Sequence, residues 1–173
     1  MIMLDELRMI YKVASTERLE IFLEPVNAAM REFEIDTPVR EAAFLAQLAH
    51  ESGEFRYVRE LASGRAYEGR KDLGNTEPGD GVRFKGRGLI QITGRFNYRD
   101  CGDALGIDLL SNPELLEEPV LAARSAAWFW KSRGLNDLAD KGDFKLITKR
   151  INGGYNGYSA RLRYWERAQG ALA

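Results

Sequence analysis

Hydrophobic positions in the amino half of the chain repeat at intervals of three and four residues, which is the spacing of an amphipathic helix. In the stretch STERLEIFLEPVNAAMREF these positions are Leu19, Phe22, Leu23, Val26, Met30 and Phe33. Pro25 lies inside the run, so we expect a kink or an interruption there. The next stretch, DTPVREAAFLAQLAHES, predicts a helix with Thr37 as N-cap and Pro38 in the first helical position. It should end at Ser52 and Gly53.

The helical periodicity disappears between residues 53 and 88. RYVRELASGRAYEGR is typical of a short β-hairpin that turns at Ala-Ser-Gly. LGNTEPGDGVRFKGRG is too rich in glycine and turn residues for regular structure. A loop of this length in a compact domain is uncommon unless it has a function. We therefore predict a small hairpin and a long irregular loop that lines a functional cleft.

Helical patterns return in the carboxyl half. Predicted helices end at Gly106, at Gly134 and at the double glycine of KRINGG, and Ser159 is the expected cap of the last one. A short helix is also predicted for LNDLADKG. We find no internal repeat, low-complexity tract or linker. The pattern predicts one mainly α-helical domain over residues 1–173.

Composition limits the partners and the compartment. With 25 basic and 26 acidic residues, the chain has no overall field that attracts nucleic acid or an anionic membrane. The single cysteine, Cys101, excludes an internal disulfide and argues against an oxidising compartment. Asp5 and Glu6 lie where a signal peptide carries basic residues, and no apolar run approaches the roughly 20 residues of a membrane span. We expect residence in the cytoplasm, with neither nucleic acid nor a membrane as a stable partner.

Two glutamates, Glu51 and Glu60, flank the expected end of the second helix. On a continuous helix their nine-position spacing would separate them by about 13.5 Å and turn them roughly 180° apart. If the helix stops near Gly53, Glu60 can fold back to face Glu51. Such a pair can cleave a glycosidic bond, because one carboxyl protonates the leaving oxygen while the other activates water or attacks carbon. Glutamates at helix ends and on hairpins are mostly just solvated, and the residues alone leave that interpretation open.

The surroundings in the sequence suggest different roles for the two acids. Glu51 ends a helix whose other face is apolar, and partial burial there would raise its pKa, which suits a proton donor. Glu60 lies among three arginines and is expected to stay ionised, as a general base must. These arginines are Arg56, Arg59 and Arg65.

His50 is the only histidine, so the His-Glu pair at 50–51 cannot complete a His-Glu-x-x-His zinc motif. With one histidine and one cysteine in the chain, no metal site is expected. The spacing in GRGLIQ matches neither the dinucleotide fingerprint nor the Walker loop. No cofactor is therefore predicted, and His50 is expected to orient its neighbours at the helix end.

Three stretches, taken together and in order, resemble glycoside hydrolase family 19: AFLAQLAHESGEF, FKGRGLIQITGRFNY and ITKRINGGYNG. The middle one is similar to the family's Gly-Arg-Gly-x-Ile-Gln-Leu-Ser/Thr signature and the last to its Ile-Asn-Gly-Gly. The resemblance covers residues 37–168 and leaves residues 1–36 as N-terminal helices. The short chain, the absent signal peptide and the lone cysteine resemble the phage endolysin branch. This resemblance implies a lysozyme-like, two-lobed helical fold with a cleft between the lobes, and an inverting single displacement.

The resemblance also implies roles for individual residues. Glu51 matches the general acid, and Glu60 matches the general base of the endolysin branch, with Glu68 as the alternative base. Thr93 matches the hydroxyl residue that helps the base to hold the attacking water. Arg161 resembles the arginine of the last helix that supports the acidic pair.

Sugar binding needs amide side chains for directional hydrogen bonds and aromatic faces for stacking. The resemblance implies that Gln91, Asn97 and Asn152 bind sugar hydroxyls and N-acetyl groups, although Asn152 before two glycines could also be a simple helix cap. Tyr67 and Tyr98 are expected to offer aromatic faces. Trp128, Phe129 and Trp130, which are adjacent on a predicted helix, are expected to be core residues.

These observations predict an endolysin that hydrolyses the β-1,4 bonds of bacterial peptidoglycan with two carboxylates and no cofactor. A chitinase of the same mechanism is the main alternative, because both polymers contain N-acetylglucosamine. A lytic transglycosylase and an inactive glycan-binding module are the others. The resemblance further implies a monomer that stays in the host cytoplasm until a separate holin-type pore lets it reach the cell wall.

Overall fold

Residues 1–173 are all described by a computed structural model, and most of them are helical. The α-helices are α1 (Leu4–Ile10), α2 (Thr16–Glu32), α3 (Pro38–Ser52), α4 (Asp80–Arg83), α5 (Arg95–Leu105), α6 (Pro119–Ser132), α7 (Leu135–Asp140), α8 (Phe144–Asn152) and α9 (Tyr158–Ala171). Three short 3₁₀ helices cover Arg65–Tyr67, Lys71–Leu73 and Pro113–Glu117. The predicted mainly α-helical class is confirmed.

Helix α3 is the central element and carries Glu51 in its last turn. It begins as predicted, because the Thr37 side chain accepts a hydrogen bond from the backbone amide of Arg40 and Pro38 follows the cap. Ten of its 15 residues are buried, so the helix is covered on more than one face. Alanines make up much of this buried surface, and their small side chains allow α9 to pack closely against it.

Two hydrophobic cores support the predicted two-lobed form. The larger core extends from Ile2 to Ala168 and joins the N-terminal helices to the last helix. The smaller core consists of Phe84, Ile92, Tyr98, Cys101, Leu105, Leu109, Leu116 and Leu121. Burial raises the pKa of the Cys101 thiol to about 12, so this group packs as an inert apolar side chain.

Residues 1–36 are integrated into the larger core through α1 and α2. The side chain of Asn27 exchanges two hydrogen bonds of 2.9 Å with the backbone of Ile2. The amino group of Met1 lies 3.0 Å from the carboxylate of Glu41 on α3. Helix α2 continues through Pro25, so the interruption considered there does not occur. No helix combines the length with the apolar character that crossing a bilayer requires.

The segment between α3 and α5 is irregular, as predicted, but it contains no β-hairpin. Only two isolated antiparallel bridges form, from Arg59 to Arg87 and from Arg87 to Ile92. The chain after Gly64 turns into a 3₁₀ helix instead of a second strand, and Gly64 packs closely against the backbone of Gly81. The predicted cap of the last helix is also wrong, since α9 begins after Gly157 and not at Ser159.

Candidate active site

Both predicted carboxylates line one cleft of about 430 Å³. Its walls are formed by Glu51, Tyr57, Arg59, Glu60, Leu61, Ala62, Tyr67 and Gln91. Cavities of similar volume occur elsewhere on the surface, but this one holds two half-buried carboxylates contributed by different segments. The expected chain reversal after Ser52 therefore brings Glu51 and Glu60 to the same cavity.

Three consecutive residues in the left-handed region make this reversal. Gly53, Glu54 and Phe55 have φ angles of 58°, 56° and 67°. Glycine adopts this conformation freely, whereas the two following residues need support from their surroundings. The Ser52 hydroxyl supplies part of it, since it donates to Leu48 O at 2.6 Å and accepts from the Phe55 amide at 2.9 Å. Gly53 thus ends the helix as the sequence predicts.

Glu54 supplies the rest of the support, and sequence reasoning missed it. Its buried carboxylate accepts hydrogen bonds from the backbone amides of Val13 and Ala14, both at 2.7 Å, and from the Tyr164 hydroxyl at 2.8 Å. A longer contact of 3.3 Å comes from the Lys12 amide. Burial, with the hydrogen bond to Glu54, raises the pKa of Tyr164 to about 12. The turn beside Glu51 is therefore fastened to the N-terminal segment and to α9.

Glu51 contacts a buried guanidinium. Arg161 Nη1 lies 2.6 Å from Glu51 Oε1, and the Arg161 residue is 1% exposed. The same nitrogen donates to Gln47 Oε1 at 2.6 Å, and Arg161 Nε donates to Asn156 O at 3.1 Å. The expected support of the acid by Arg161 is thus present in the geometry. Arg161 is buried behind the carboxylate and does not line the cleft, so it is not placed to bind sugar directly.

Glu60 is held by one of its two carboxylate oxygens. Oε2 accepts from the Gly86 amide at 2.9 Å and from the Tyr67 hydroxyl at 3.1 Å. Oε1 is also shielded by the protein but has no hydrogen-bond partner in it. Burial, together with the charge of Glu60, raises the pKa of Tyr67. The carboxylate is therefore fixed in orientation through Oε2, while Oε1 is a buried acceptor without a partner in the protein.

The arginines expected around Glu60 do not contact it. The nearest in sequence, Arg59, lies 3.6 Å from Glu117 instead. Glu68, the alternative base, lies outside the cleft and its two oxygens accept from the amides of Gly79 and Gly81, both at 3.0 Å. Its carboxylate ties the irregular loop together. The geometry therefore favours Glu60 over Glu68 as the second acid of the cleft.

The Gly86 position leaves no room for a side chain beside Glu60. A Cβ atom there would lie 2.7 Å from Glu60 Oε2 and 2.8 Å from Gln91 Oε1. We expect Gly86→Ala to push both side chains out of place and to lower the rate of glycan cleavage about tenfold or more. Cleavage rate and thermal melting, measured together, check this prediction. Gly170→Ala on α9, where nothing lies within 4 Å, is the matched control and should keep the wild-type rate.

Gln91 belongs both to the main cleft and to a smaller cavity next to it. The smaller cavity, of about 120 Å³, is lined by Leu73, Gln91, Ile92, Thr93, Asn97, Trp128, Phe129 and Arg133. Within this segment the Thr93 hydroxyl donates to Gln91 O at 3.2 Å, and the Asn97 amide donates to Thr93 O at 2.8 Å. Gln91 itself has a φ of 60°, which turns the chain sharply at the junction. Thr93 and Asn97 thus face the adjoining cavity.

The prediction that Tyr98 binds sugar is wrong. It is fully buried in the smaller core, and its hydroxyl donates to Lys85 O and accepts from Arg87 Nη1 at 3.0 Å. Burial raises the pKa of Tyr98. Arg87 is 8% exposed and pairs with Glu117 at 3.0 Å. Tyr98 and Arg87 therefore hold the buried side of the loop that carries Gly86.

His50 and Asn152 line neither the main cleft nor the smaller cavity. Asn152 is exposed at the end of α8, and its side-chain oxygen accepts from the Asn156 amide at 3.3 Å. The His50 ring packs on Gly157, where a Cβ would lie 2.3 Å from the imidazole. His50 therefore shapes the loop between α8 and α9, which agrees with its expected orienting role and gives no sign of direct sugar contact.

His50 should make the stability of the protein depend on pH. Burial, and next the charge of Arg161, lower the pKa of His50 below its ordinary 6.5. The unfolded chain then binds a proton more readily than the folded one, so stability is lost as the pH falls below about 6.5. Because the chain has one histidine, His50→Gln should flatten this decline. Melting curves between about pH 7 and pH 5 test it, and equal slopes in both proteins would contradict it.

Several residues of the two cavities were not identified from the sequence. Leu61 is 86% exposed at the rim of the main cleft. Trp128 and Phe129 are half-buried and line the smaller cavity, whereas Trp130 is fully buried as expected. Successive helix residues point about 100° apart, so three adjacent aromatic residues cannot all face one core. This spacing was therefore a signal in the sequence that at least one of the three rings would lie outside the core.

Comparisons with known proteins give a consistent result. The family model of glycoside hydrolase family 19, described as chitinase class I, matches residues 33–140. A glycosyl hydrolase family 19 domain-containing protein of Haemophilus influenzae is 33% identical over 159 residues, covering 73% of this chain and 77% of that protein. An endochitinase of Arabidopsis thaliana is 41% identical over 114 residues, covering 65% of this chain. The chain spans about two fifths (39%) of that endochitinase.

Solved structures share the fold. A bacterial family 19 chitinase superposes with a TM-score of 0.82 and 24% identity, covering 99% of this chain and 94% of the other. A family 19 class IV chitinase from Zea mays superposes with a TM-score of 0.73 and 27% identity, covering 96% and 90%. The lysozyme-like helical architecture expected from the sequence is therefore shared with these family 19 chitinases, and it extends over nearly the whole of both chains.

Proposed function

The chain belongs to glycoside hydrolase family 19, and on that premise we propose that it is an endolysin that hydrolyses β-1,4 bonds of peptidoglycan glycan strands. The observation that carries the mechanism is the carboxylate of Glu60, anchored through Oε2 while Oε1 has no partner in the protein. A buried acceptor without a donor is costly unless water or a ligand completes it. We propose that this donor is the attacking water once a glycan occupies the cleft, which Glu60 lines together with Glu51.

The proposed reaction is an inverting displacement. Glu51 donates its proton to the glycosidic oxygen as the bond from that oxygen to the anomeric carbon breaks. Water on the opposite face of the sugar attacks this carbon and gives its proton to Glu60. Inversion needs the two carboxyls about 6.5–9.5 Å apart, so that one water fits between acid and sugar. Proton exchange with solvent then restores Glu51–H and ionised Glu60.

Arg161 acts after Glu51 has given its proton to the leaving oxygen. Once Glu51 has lost its proton, the guanidinium at 2.6 Å stabilises the carboxylate and keeps it oriented. Tyr67 fixes Glu60 through its hydroxyl. Gln91 lines both cavities and binds the sugar in the main cleft, whereas Thr93 and Asn97 bind a substituent of that sugar in the smaller cavity. No cofactor takes part in any of these steps.

The choice of peptidoglycan over chitin rests on charge. Chitin is uncharged, whereas peptidoglycan carries carboxylates on the lactyl and peptide substituents of alternate sugars. Arg133 lines the smaller cavity and pairs with no carboxylate, so the site presents a cation there. Arg59 also lines the main cleft, but it lies 3.6 Å from Glu117. Chitin remains the second candidate substrate, because relatives from Arabidopsis thaliana and other plants are named endochitinases.

In this proposal the enzyme works as a monomer and is kept from its substrate until the host cell lyses. It resides in the host cytoplasm, and a separate holin-type pore-forming protein lets it reach the cell wall. Its partner is then the glycan strand alone.

The direct test gives purified protein two substrates, peptidoglycan sacculi and chitin oligomers, and identifies the products by mass spectrometry. Sacculi should be solubilised with release of water-added reducing ends. Cleavage of chitin with intact sacculi would reject the endolysin proposal in favour of a chitinase. Anhydro-sugar ends would instead indicate a lytic transglycosylase.

A further inference from the structure

The smaller cavity beside the cleft contains a cation that has no counter-ion. Arg133 is exposed at the end of α6, and its guanidinium carbon lies 4.2 Å from the centre of the Phe129 ring. Its side chain donates one hydrogen bond in the protein, to Ser132 Oγ at 3.2 Å. No carboxylate lies within 4 Å of it, whereas Arg124 on the same helix pairs with Glu32 at 2.8 Å.

Such a cation is arranged to receive an anion. The aromatic face orients the guanidinium and removes part of its water, which lowers the pKa of Arg133 from its ordinary value without discharging it. Most of its N–H donors remain free, because five are present and one is used in the protein. A planar carboxylate can accept two parallel hydrogen bonds from the N–H groups of this guanidinium.

The size of the cavity indicates which part of a glycan enters it. At about 120 Å³ it is much smaller than the main cleft of about 430 Å³. It therefore suits a substituent of a sugar and not a whole N-acetylhexosamine. Trp128 and Phe129 offer an apolar wall and Asn97 an amide, which match a short group with a methyl and an acid end.

We propose that Arg133 binds a carboxylate on the lactyl or peptide substituent of the muramic acid residue next to the scissile bond, and so selects peptidoglycan over chitin. This inference rests on the proposed function and adds a specificity-determining residue to it. Gln91 lines both cavities and connects the carboxylate site to the acidic pair. The other cation at the cleft, Arg59, is less suited because Glu117 already neutralises it.

The test compares Arg133→Gln and Arg133→Lys with the wild type on three soluble substrates. These are peptidoglycan strands, the same strands with their carboxyls converted to amides, and chitin hexamer. Arg133→Gln should lower the ratio of kcat/KM for native strands to kcat/KM for chitin about tenfold, mainly through KM. Arg133→Lys should restore part of it, since the charge remains but the fork is lost.

Arg167→Gln is the matched control. Arg167 is also exposed, lies 5.5 Å from an aromatic ring centre and has no ion pair, but it is on α9 away from both cavities. It should keep the wild-type ratio. Amidation of the strands should make wild type and Arg133→Gln equal, and added salt should weaken only the wild-type preference.

The possible failures are distinct. Wild-type protein that leaves native strands intact would overturn the proposed function and this inference with it. Wild-type protein that cleaves them while Arg133→Gln keeps the same ratio would overturn the role of Arg133 alone. A fall of equal size on strands and chitin would also overturn it, because it would indicate general damage to the cleft.

Discussion

Glu51→Gln is expected to cleave glycan strands about a thousandfold more slowly than the wild type. The variant keeps the shape of the side chain but has no proton to donate to the leaving oxygen. It should also lose about 1–3 kcal/mol of unfolding free energy, because the buried Arg161 is left without its carboxylate partner. Lysis rates on sacculi and urea denaturation measure the two effects.

The control for this variant is Glu166→Gln, which changes an exposed glutamate on α9 that has no ion pair. It should match the wild type in both measurements. A near-normal rate in Glu51→Gln would show that another group is the acid. Unchanged stability would show that the contact with Arg161 contributes little to folding.

Glu54→Gln is expected to cost about 2–4 kcal/mol of unfolding free energy, equivalent to a melting temperature lower by about 5–12 °C. Its carboxylate accepts from three backbone amides and the Tyr164 hydroxyl, and an NH₂ group cannot accept from any of them. The turn through residues 53–55 then keeps Ser52 and one side-chain oxygen at position 54 but loses the remainder of its support. Cleavage assayed well below the melting temperature should therefore also slow.

The comparison for this second variant is Glu24→Gln. Glu24 is exposed and pairs with Arg31 at 2.8 Å, so its loss should change stability by less than about 0.5 kcal/mol. A Glu54→Gln protein as stable as this control would show that the N-terminal segment does not hold the turn.

The sequence predicts those parts of the site that depend on local rules. Thr37, Pro38 and Gly53 set the limits of α3 through capping preferences that act within one turn. Since the helix ends there, the return of the chain toward Glu51 follows. These local signals give the end of the helix beside Glu51, whereas the position of Glu60 also depends on its contacts with Gly86 and Tyr67.

Contacts distant in the sequence could not be predicted in this way. The carboxylate of Glu54 meets amides some 40 residues earlier and a tyrosine 110 residues later. Nothing in the nearby sequence separates it from a solvated glutamate. The prediction for Tyr98 was wrong for a related reason, because its position on the buried face of α5 depends on how the smaller core packs. The predicted hairpin does not form, and Gly64 instead packs against Gly81, a contact 17 residues away that the local strand pattern does not contain.

The contacts that hold the turn at Glu54 have a consequence for transplanting this catalytic unit into a chimeric glycoside hydrolase. The stretch matched by the family model, residues 33–140, excludes the amides of residues 12–14 and excludes Arg161 and Tyr164. A graft cut at those limits would carry both acids and the two contacts that hold Glu60, but it would lack Arg161 beside Glu51 and the partners of Glu54 that hold the turn. The smallest portable piece therefore runs from before Lys12 to beyond Tyr164, which is nearly the entire polypeptide.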